Sequence, residues 1–190
     1  MTLLYKTVGV LVSGPIGSGK TTFCSMLHTE MYNRGWAGEK FSYANRVKEI
    51  ARMMGWDGVK DERGRELLQK LGTDTGRNYD QDMWVKYLID KHIPGQDRYP
   101  FDIIFIDDWR FPNERDYIEK NPLYNLLTVR MVRDCSEDSK HISEISLPDH
   151  RLDTSYYDSV IYNTGDLYAL QRSAVATSLY IISKYNKGAK

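Results

Sequence analysis

The residues with the clearest chemistry form a glycine-rich loop near the start of the chain. Residues 14–21 run Gly-Pro-Ile-Gly-Ser-Gly-Lys-Thr and fit the phosphate-binding pattern G-x-x-x-x-G-K-[ST]. Glycines in such a loop let backbone N–H groups close around a polyphosphate, the lysine reaches its β- and γ-phosphates, and the threonine hydroxyl can ligate Mg²⁺. The pattern predicts that a nucleoside triphosphate is bound by Gly14, Ile16, Gly17, Ser18, Gly19, Lys20, Thr21 and Thr22.

A second candidate group consists of the adjacent carboxylates Asp107 and Asp108, which end an apolar run that begins at Phe101. An acidic residue at the end of a strand beside a phosphate loop commonly holds Mg²⁺ or its water. Side chains alternate along a strand, so only one of the two faces the site, and the sequence leaves open which one does. The predicted Mg²⁺ ligands are therefore Thr21, Asp107 and Asp108.

A third group indicates a second anion site. Arg65, Gln69 and Thr73 recur every four residues, so a continuous helix would align them on one face, with Arg77 one step further. Arginine suits bidentate phosphate recognition, glutamine can bind a base or sugar edge, and an aromatic ring can stack on a base. The alternative is a solvated amphipathic helix with leucines on its core face. The predicted substrate-binding residues are Lys48, Arg65, Gln69, Thr73, Arg77, Trp84 and Arg110.

Cations also follow the predicted strands that surround the loop. Arg110 comes directly after the acidic strand end, and Arg130 and Arg133 lie at the end of the next apolar run. Such side chains can stabilise the charge of a migrating phosphoryl group, or they can merely pair with nearby carboxylates. The predicted catalytic residues are Lys20, Arg110, Arg130 and Arg133.

A parallel sheet would bring these groups together. Apolar runs predict strands at residues 6–13, 40–43, 102–107, 126–132 and 160–162. Between and after them, helices are predicted at 20–33, 44–54, 62–71, 81–92, 113–119 and 167–185. This alternation predicts an α/β fold with helices on both faces of the sheet. The polar segment 134–153 is predicted to be either a surface loop or a lid that excludes water.

Composition limits the function classes. A chain of 190 residues suits a single domain, and its 26 basic and 26 acidic side chains leave no net charge. That balance argues against a nucleic-acid partner and favours a small-molecule acceptor. Two cysteines do not indicate a disulfide framework, and no apolar run approaches the ~20 residues of a membrane span. We expect a cytoplasmic protein without a membrane partner, and the sequence leaves open whether it forms a homodimer.

Several blocks together resemble the bacteriophage deoxynucleoside monophosphate kinase family. They are the phosphate loop, residues 64–73 with Gly76-Arg77 and Trp84, residues 108–114, residues 141–144 and residues 158–167, and they follow the family's order. The resemblance implies a P-loop kinase fold of three layers with a five-stranded parallel sheet. It also implies one domain over residues 1–190, with a monophosphate-binding helical region at about 44–92 and a lid at about 134–153.

The same resemblance implies transfer of the γ-phosphoryl group of ATP, with Mg²⁺, to a deoxynucleoside 5′-monophosphate. It places Asn163 and Gly165 in a loop under the adenine of ATP. The chain departs from the family pattern at Asn45-Arg46 and at Trp109, where a small aliphatic residue is usual, so base preference is not carried over. Two alternatives stay open: a dephospho-coenzyme A kinase, and a nucleotide-binding regulator that transfers no phosphoryl group.

Overall fold

The chain divides into two compact units in its structure, a computed structural model that describes residues 6–97, 100–133, 146–149, 151, 153 and 155–185. One unit comprises Met1–Phe41 with Pro100–Lys190, and the other comprises Ser42–Tyr99. The predicted monophosphate-binding region, residues 44–92, lies inside the second unit. Most of the predicted lid lies outside the described residues, as do the block 141–144 and Cys135.

The first unit is built on a parallel sheet. Its strands are β1 Thr7–Ser13, β2 Gly38–Phe41, β3 Ile103–Ile106, β4 Tyr124–Val132 and β5 Ser159–Tyr162. They are ordered β2-β3-β1-β4-β5, and every neighbouring pair is parallel. The sheet and all five predicted strands are therefore confirmed. Strands β2 and β4 begin two residues earlier than predicted, because backbone pairing extends past the apolar side chains that mark a strand in the sequence.

Helices cover both faces of this sheet. Helices α1 (Lys20–Asn33) and α7 (Leu167–Lys184) pack against each other and form one core with Val8, Val10 and Val12 of β1. Helix α6 (Pro112–Glu119) lies on the opposite face, where Ile118 approaches Gly9. All seven residues of β1 are buried, as expected for a central strand covered on both sides. The predicted α/β architecture is thus confirmed.

The regular elements described in the second unit are all helical, and turns connect them. Its elements are α2 (Tyr43–Met53), α3 (Glu62–Gln69), a π-helical segment (Lys70–Thr75), α4 (Gly76–Tyr79), α5 (Met83–Lys86) and a second π-helical segment (Tyr87–His92). The predicted helix 62–71 thus continues past its expected end, but with a wider turn.

Among the described parts of the whole chain, no helix is both long and apolar enough to cross a bilayer.

Candidate active site

The glycine-rich loop joins β1 to α1 and owes its shape to glycine at two close approaches. Gly14 has φ +151° and Gly19 has φ +93°, a region that side chains disfavour. A Cβ atom on Gly14 would lie 2.5 Å from the Met131 carbonyl oxygen, and one on Gly19 would lie 2.5 Å from Asn163 Nδ2. The loop can therefore pack tightly against β4 and β5 only with glycine at these positions.

The start of α1 is suited to an anion. The helix begins after Gly19 with no side-chain cap among the described residues and no acidic residue in its first turn, so its first backbone N–H groups can face a phosphate. Lys20 folds back over the loop, where its Nζ donates hydrogen bonds to the carbonyl oxygens of Gly14 (2.7 Å) and Pro15 (2.8 Å). A positive dipole end and an ammonium group thus meet at the loop.

Asn163 holds the loop from outside. Its Nδ2 donates to the Ser18 carbonyl oxygen (2.9 Å), and its own backbone N–H donates to Val132 (2.7 Å). Asn163 is 8% exposed, so its amide positions the loop. The Ser18 hydroxyl is buried without a hydrogen-bond partner among the residues that the structure describes. It is thus an unused donor inside the loop.

Thr21 and Asp107 meet at the end of β3. The Thr21 hydroxyl donates to Asp107 Oδ2 at 2.6 Å, so Asp107 reaches the first turn of α1. A hydroxyl and a carboxylate are oxygen ligands of the kind Mg²⁺ prefers, and Mg²⁺ usually adds water and phosphate oxygens. The pair therefore fits the predicted ion. No cluster of three or more metal-binding side chains occurs among the described residues.

Charged groups of both signs lie near the buried thiol of Cys24 in α1. Burial raises the pKa of the Cys24 thiol well above its usual value, and the nearby negative charges of Asp107 and Asp108 raise it further. The positive charges of Lys40 and Lys20 act in the opposite direction. Cys24 therefore stays a neutral thiol beneath a site that combines two carboxylates with two lysines.

Arg110 is fixed through its backbone. Glu114 is buried (2% exposed), and its Oε2 accepts hydrogen bonds from the backbone N–H groups of Arg110 (2.9 Å) and Phe111 (3.1 Å). Pro112 then begins α6, a position at which its missing N–H costs nothing. The turn after β3 is thereby rigid where it carries Arg110.

The two arginines of β4 differ in their surroundings. Arg130 lies beside Ser13 in the sheet register, and its Nε is buried without a hydrogen-bond partner among the described residues. Its guanidinium lies over the ring of Tyr157, with Cζ 5.9 Å from the ring centroid. Arg133 follows the strand and is exposed. Arg130 is therefore the better held of the two.

A cavity of about 460 Å³ opens next to the loop that carries Asn163. Gly165, which the family resemblance assigns to the adenine loop, lines it together with Arg172 and Ser173 of α7. Apart from their spacing of about one helical turn from Ala169, no sequence pattern marks Arg172 and Ser173 as site residues. The cavity adjoins the phosphate loop through Asn163.

In the helical unit, two of the predicted acceptor residues share a cavity of about 660 Å³. Arg65 and Gln69 line it together with Lys60, Asp61, Glu62 and Glu66. The Arg65 side chain is exposed and makes no hydrogen bond or ion pair with any described residue. The predicted alignment of these two residues on one helical face is therefore present.

The other predicted acceptor residues are placed differently. Thr73 lies in the π-helical segment, which breaks the four-residue repeat, and Arg77 donates to the Gln81 carbonyl oxygen (3.1 Å). Lys48 Nζ lies 3.4 Å from Asn45 Oδ1.

The expectation that the Trp84 ring stacks on a base needs correction. The ring is 6% exposed, and its Nε1 donates to the Gly72 carbonyl oxygen at 2.7 Å. Trp84 thus packs the helical unit and has little ring surface left for a base.

Comparisons with known proteins identify the family. The deoxynucleotide monophosphate kinase family model matches residues 39–174, and the curated proteins yield no match. Among solved structures, the chain is similar to shikimate kinase from Aquifex aeolicus vf5, with 12% identity and a TM-score of 0.45, over 96% of this chain and 100% of that one. It is also similar to a sugar kinase from Janibacter sp. HTCC2649, with 17% identity and a TM-score of 0.41, over 93% and 95%. Since the family match covers well over half of the chain, this protein belongs to the deoxynucleotide monophosphate kinase family and is a phosphotransferase that acts on nucleotides.

Proposed function

We propose that this kinase transfers the γ-phosphoryl group of ATP to deoxynucleoside 5′-monophosphates and releases the diphosphates and ADP. The observation that carries the proposal is the grouping at the start of α1, where Lys20 lies over the phosphate loop and Thr21 contacts Asp107. A triphosphate needs this combination of an ammonium group, helix N–H groups and an ion site. The family match adds the monophosphate acceptor.

The donor is proposed to be ATP, bound along one path in the sheet unit. The phosphate loop would hold its β- and γ-phosphates, and the cavity lined by Gly165, Arg172 and Ser173 would take the base. Asn163 connects the two, because it lines the cavity and also donates to the loop. Thr21 and Asp107 would hold Mg²⁺, which when bound neutralises phosphate charge and orients the oxygens.

The acceptor is proposed to bind through Arg65, with Gln69 beside it. Because the Arg65 guanidinium pairs with none of the residues that the structure describes, it can form a bidentate pair with a phosphate without first breaking an ion pair to one of them. Three carboxylates also line this cavity, so they would disfavour an anion that did not reach the guanidinium itself. Arg77 and Arg110 remain proposed further contacts to the acceptor phosphate.

The chemistry needs positioning more than it needs a base. A monophosphate oxygen is already anionic, so the enzyme has no proton to remove before attack. Its task is to bring two polyanions together in line and to stabilise the migrating charge. Lys20 would act on the donor, and Arg130 or Arg133 on the migrating phosphoryl group.

The test is an ADP-release assay with ATP, Mg²⁺ and each monophosphate in turn: dTMP, dGMP, dCMP and dAMP, then their ribose forms. We expect turnover with at least one deoxynucleotide, and none for Lys20→Ala with an unchanged circular dichroism spectrum. Dephospho-coenzyme A is assayed in parallel, since its kinase is the nearest alternative. Turnover with that compound alone, or full activity of Lys20→Ala, would refute the proposal.

A further inference from the structure

Three aromatic side chains form a cluster beside the active site that the proposed reaction does not explain. Trp109 is 1% exposed and stacks on Tyr156, with ring centroids 6.0 Å apart and an angle of 15° between the planes. Tyr157 is 4% exposed and packs edge-on against Trp109 (5.6 Å) and Tyr156 (5.1 Å). Each ring thus contacts the other two, so the cluster is rigid.

Two arginines lie on this cluster. The guanidinium of Arg115 lies 4.6 Å from the Tyr156 centroid, and that of Arg130 lies 5.9 Å from the Tyr157 centroid. Arg115 also donates to the Tyr156 carbonyl oxygen (3.2 Å) and lies near Glu119. Arg130 makes no comparable hydrogen bond to a described residue. Its Nε is buried without a partner among those residues, and its guanidinium lies over the Tyr157 ring. A ring face holds a guanidinium in a plane without neutralising it.

Tyr157 is itself anchored at its far end. Its hydroxyl donates to the Pro148 carbonyl oxygen at 2.7 Å. The Ser13 hydroxyl also interacts with it, and Ser13 is the register partner of Arg130 and the last residue before the phosphate loop. The ring that supports Arg130 is therefore fixed to the strand that leads into the loop.

We propose that Tyr157, held by Trp109 and Tyr156, is a positioning residue that aims the Arg130 guanidinium at the phosphoryl group bound in the loop. This inference rests on the proposed function, because it assumes that Arg130 acts on transferred phosphate. Trp109 lies directly between Asp108 and Arg110, so the same cluster joins the turn after β3 to the end of β4. A carboxylate partner would hold Arg130 equally well, but it would cancel the charge that the phosphate needs.

The test is a double-mutant cycle on turnover with Tyr157→Leu and Arg130→Ala, followed with γ-labelled ATP so that slow turnover stays measurable. We expect Tyr157→Leu to lower kcat about tenfold or more, with the KM for ATP nearly unchanged, because small misplacements of a catalytic group are costly. In the Arg130→Ala background, Tyr157→Leu should lower kcat less than about twofold, because the effects of substitutions at two interacting residues are not additive. Tyr157→Phe keeps the ring and should retain most of kcat.

Controls separate positioning from packing. Tyr32→Leu, at a tyrosine of α1 that is 70% exposed, should leave kcat and KM unchanged. Thermal unfolding of each variant identifies any that fails to fold. If Tyr157→Leu fails to fold, Trp109→Phe takes its place in the cycle, because it weakens the packing against the Tyr157 ring and leaves that ring in place. If Arg130→Ala has no detectable turnover, Arg130→Lys takes its place.

The outcomes distinguish this inference from the proposed function. Losses of kcat that add up in the double mutant would mean that Tyr157 only packs the core. A rise in the KM for ATP as large as the fall in kcat would mean the same. Either result would overturn the inference. Full activity of Arg130→Ala would overturn it as well, while the kinase activity itself would stand. An inactive wild-type protein would instead refute the proposed function.

Discussion

At the scale of single residues, the contact between Thr21 and Asp107 distinguishes two neighbouring carboxylates that look alike in the sequence. Asp107 accepts a hydrogen bond from the Thr21 hydroxyl at 2.6 Å. Both carboxylates follow the end of β3 at Ile106, and the hydrogen bond from Thr21 is made to Asp107. The two should therefore contribute unequally to binding the ion.

We expect Asp107→Asn to raise the Mg²⁺ concentration needed for half-maximal turnover by about tenfold or more, since loss of a carboxylate removes both a ligand and a charge. Asp108→Asn should raise it less. A titration of turnover with Mg²⁺ at saturating ATP measures both. A larger effect at Asp108 would contradict the assignment of the ion to Thr21 and Asp107.

Arg65 permits an equally direct test of the acceptor site. We expect Arg65→Ala to raise the KM for the monophosphate by about 10- to 100-fold, since a charge-assisted contact contributes about 1.5–3 kcal/mol. The KM for ATP should not change. Arg63→Ala is the matched control, because Arg63 is exposed on the same helix but does not line the cavity. Equal losses for both substrates would remove Arg65 from the acceptor site.

At the scale of elements, the helical unit contains a feature that periodicity does not predict. Gly72 and Gly76 lie four residues apart, yet the structure uses them in different ways. A Cβ atom on Gly76 would lie 2.5 Å from Trp84 Cζ2, whereas one on Gly72 would lie 3.6 Å from Val47, an ordinary contact. The absent side chain at Gly76 is what lets the indole pack against the chain.

We therefore expect Gly76→Ala to destabilise the protein by about 1–3 kcal/mol, the usual cost of overpacking a tight site. Gly72→Ala should be neutral or stabilise it by up to about 1 kcal/mol, because alanine restricts the unfolded chain. Urea denaturation of both variants measures the free energy of unfolding. Equal tolerance of the two changes would mean that Trp84 does not pack on Gly76.

At the scale of the sheet unit as a whole, one carboxylate joins three elements. Asp158 Oδ2 accepts hydrogen bonds from the backbone N–H and the hydroxyl of Thr128 (2.9 Å each), and Oδ1 accepts one from Lys184 Nζ (3.0 Å). Burial alone would raise the pKa of Asp158, but these hydrogen bonds and the charge of Lys184 lower it overall. The carboxylate thus connects β4, the start of β5 and the end of α7.

This connection predicts a pH dependence of stability. A folded-state pKa below the unfolded value of about 3.9 means that the contribution is fully present above that pH. It is then lost as the pH falls through the folded-state pKa. We expect Asp158→Asn to lower the free energy of unfolding by about 1–2 kcal/mol at pH 7 and by progressively less as the pH falls through the folded-state pKa. Urea denaturation across this range measures it.

The control for that prediction is Asp116→Asn, which removes one exposed carboxylate from α6. It separates the loss of a charge from the loss of the Asp158 hydrogen bonds. A deficit of Asp158→Asn that stays constant as the pH falls from 7 into the acid range would show that folding does not lower the pKa of this carboxyl group. The same deficit in Asp116→Asn would show a general effect of charge.

Sequence patterns alone predict the phosphate loop, the order of the strands along the chain and the candidate arginines. These are local properties: glycine spacing, apolar runs and the residues that follow them are all read within a few positions. The loop glycines and β1 could be predicted because the backbone there admits few alternatives. Arg65 and Gln69 could be placed on one face because four residues make nearly one helical turn.

Only the tertiary structure decided which neighbours these residues meet. Four contacts join positions that lie twelve or more residues apart in the chain. They are Thr21 with Asp107, Gly72 with Trp84, Ser18 with Asn163, and Arg130 with Tyr157. In the π-helical segment Lys70–Thr75, the Gly72 carbonyl oxygen accepts a hydrogen bond from Trp84, twelve residues away. Sequence spacing fixes local geometry, whereas contacts between distant segments arise only when the packed core sets their register.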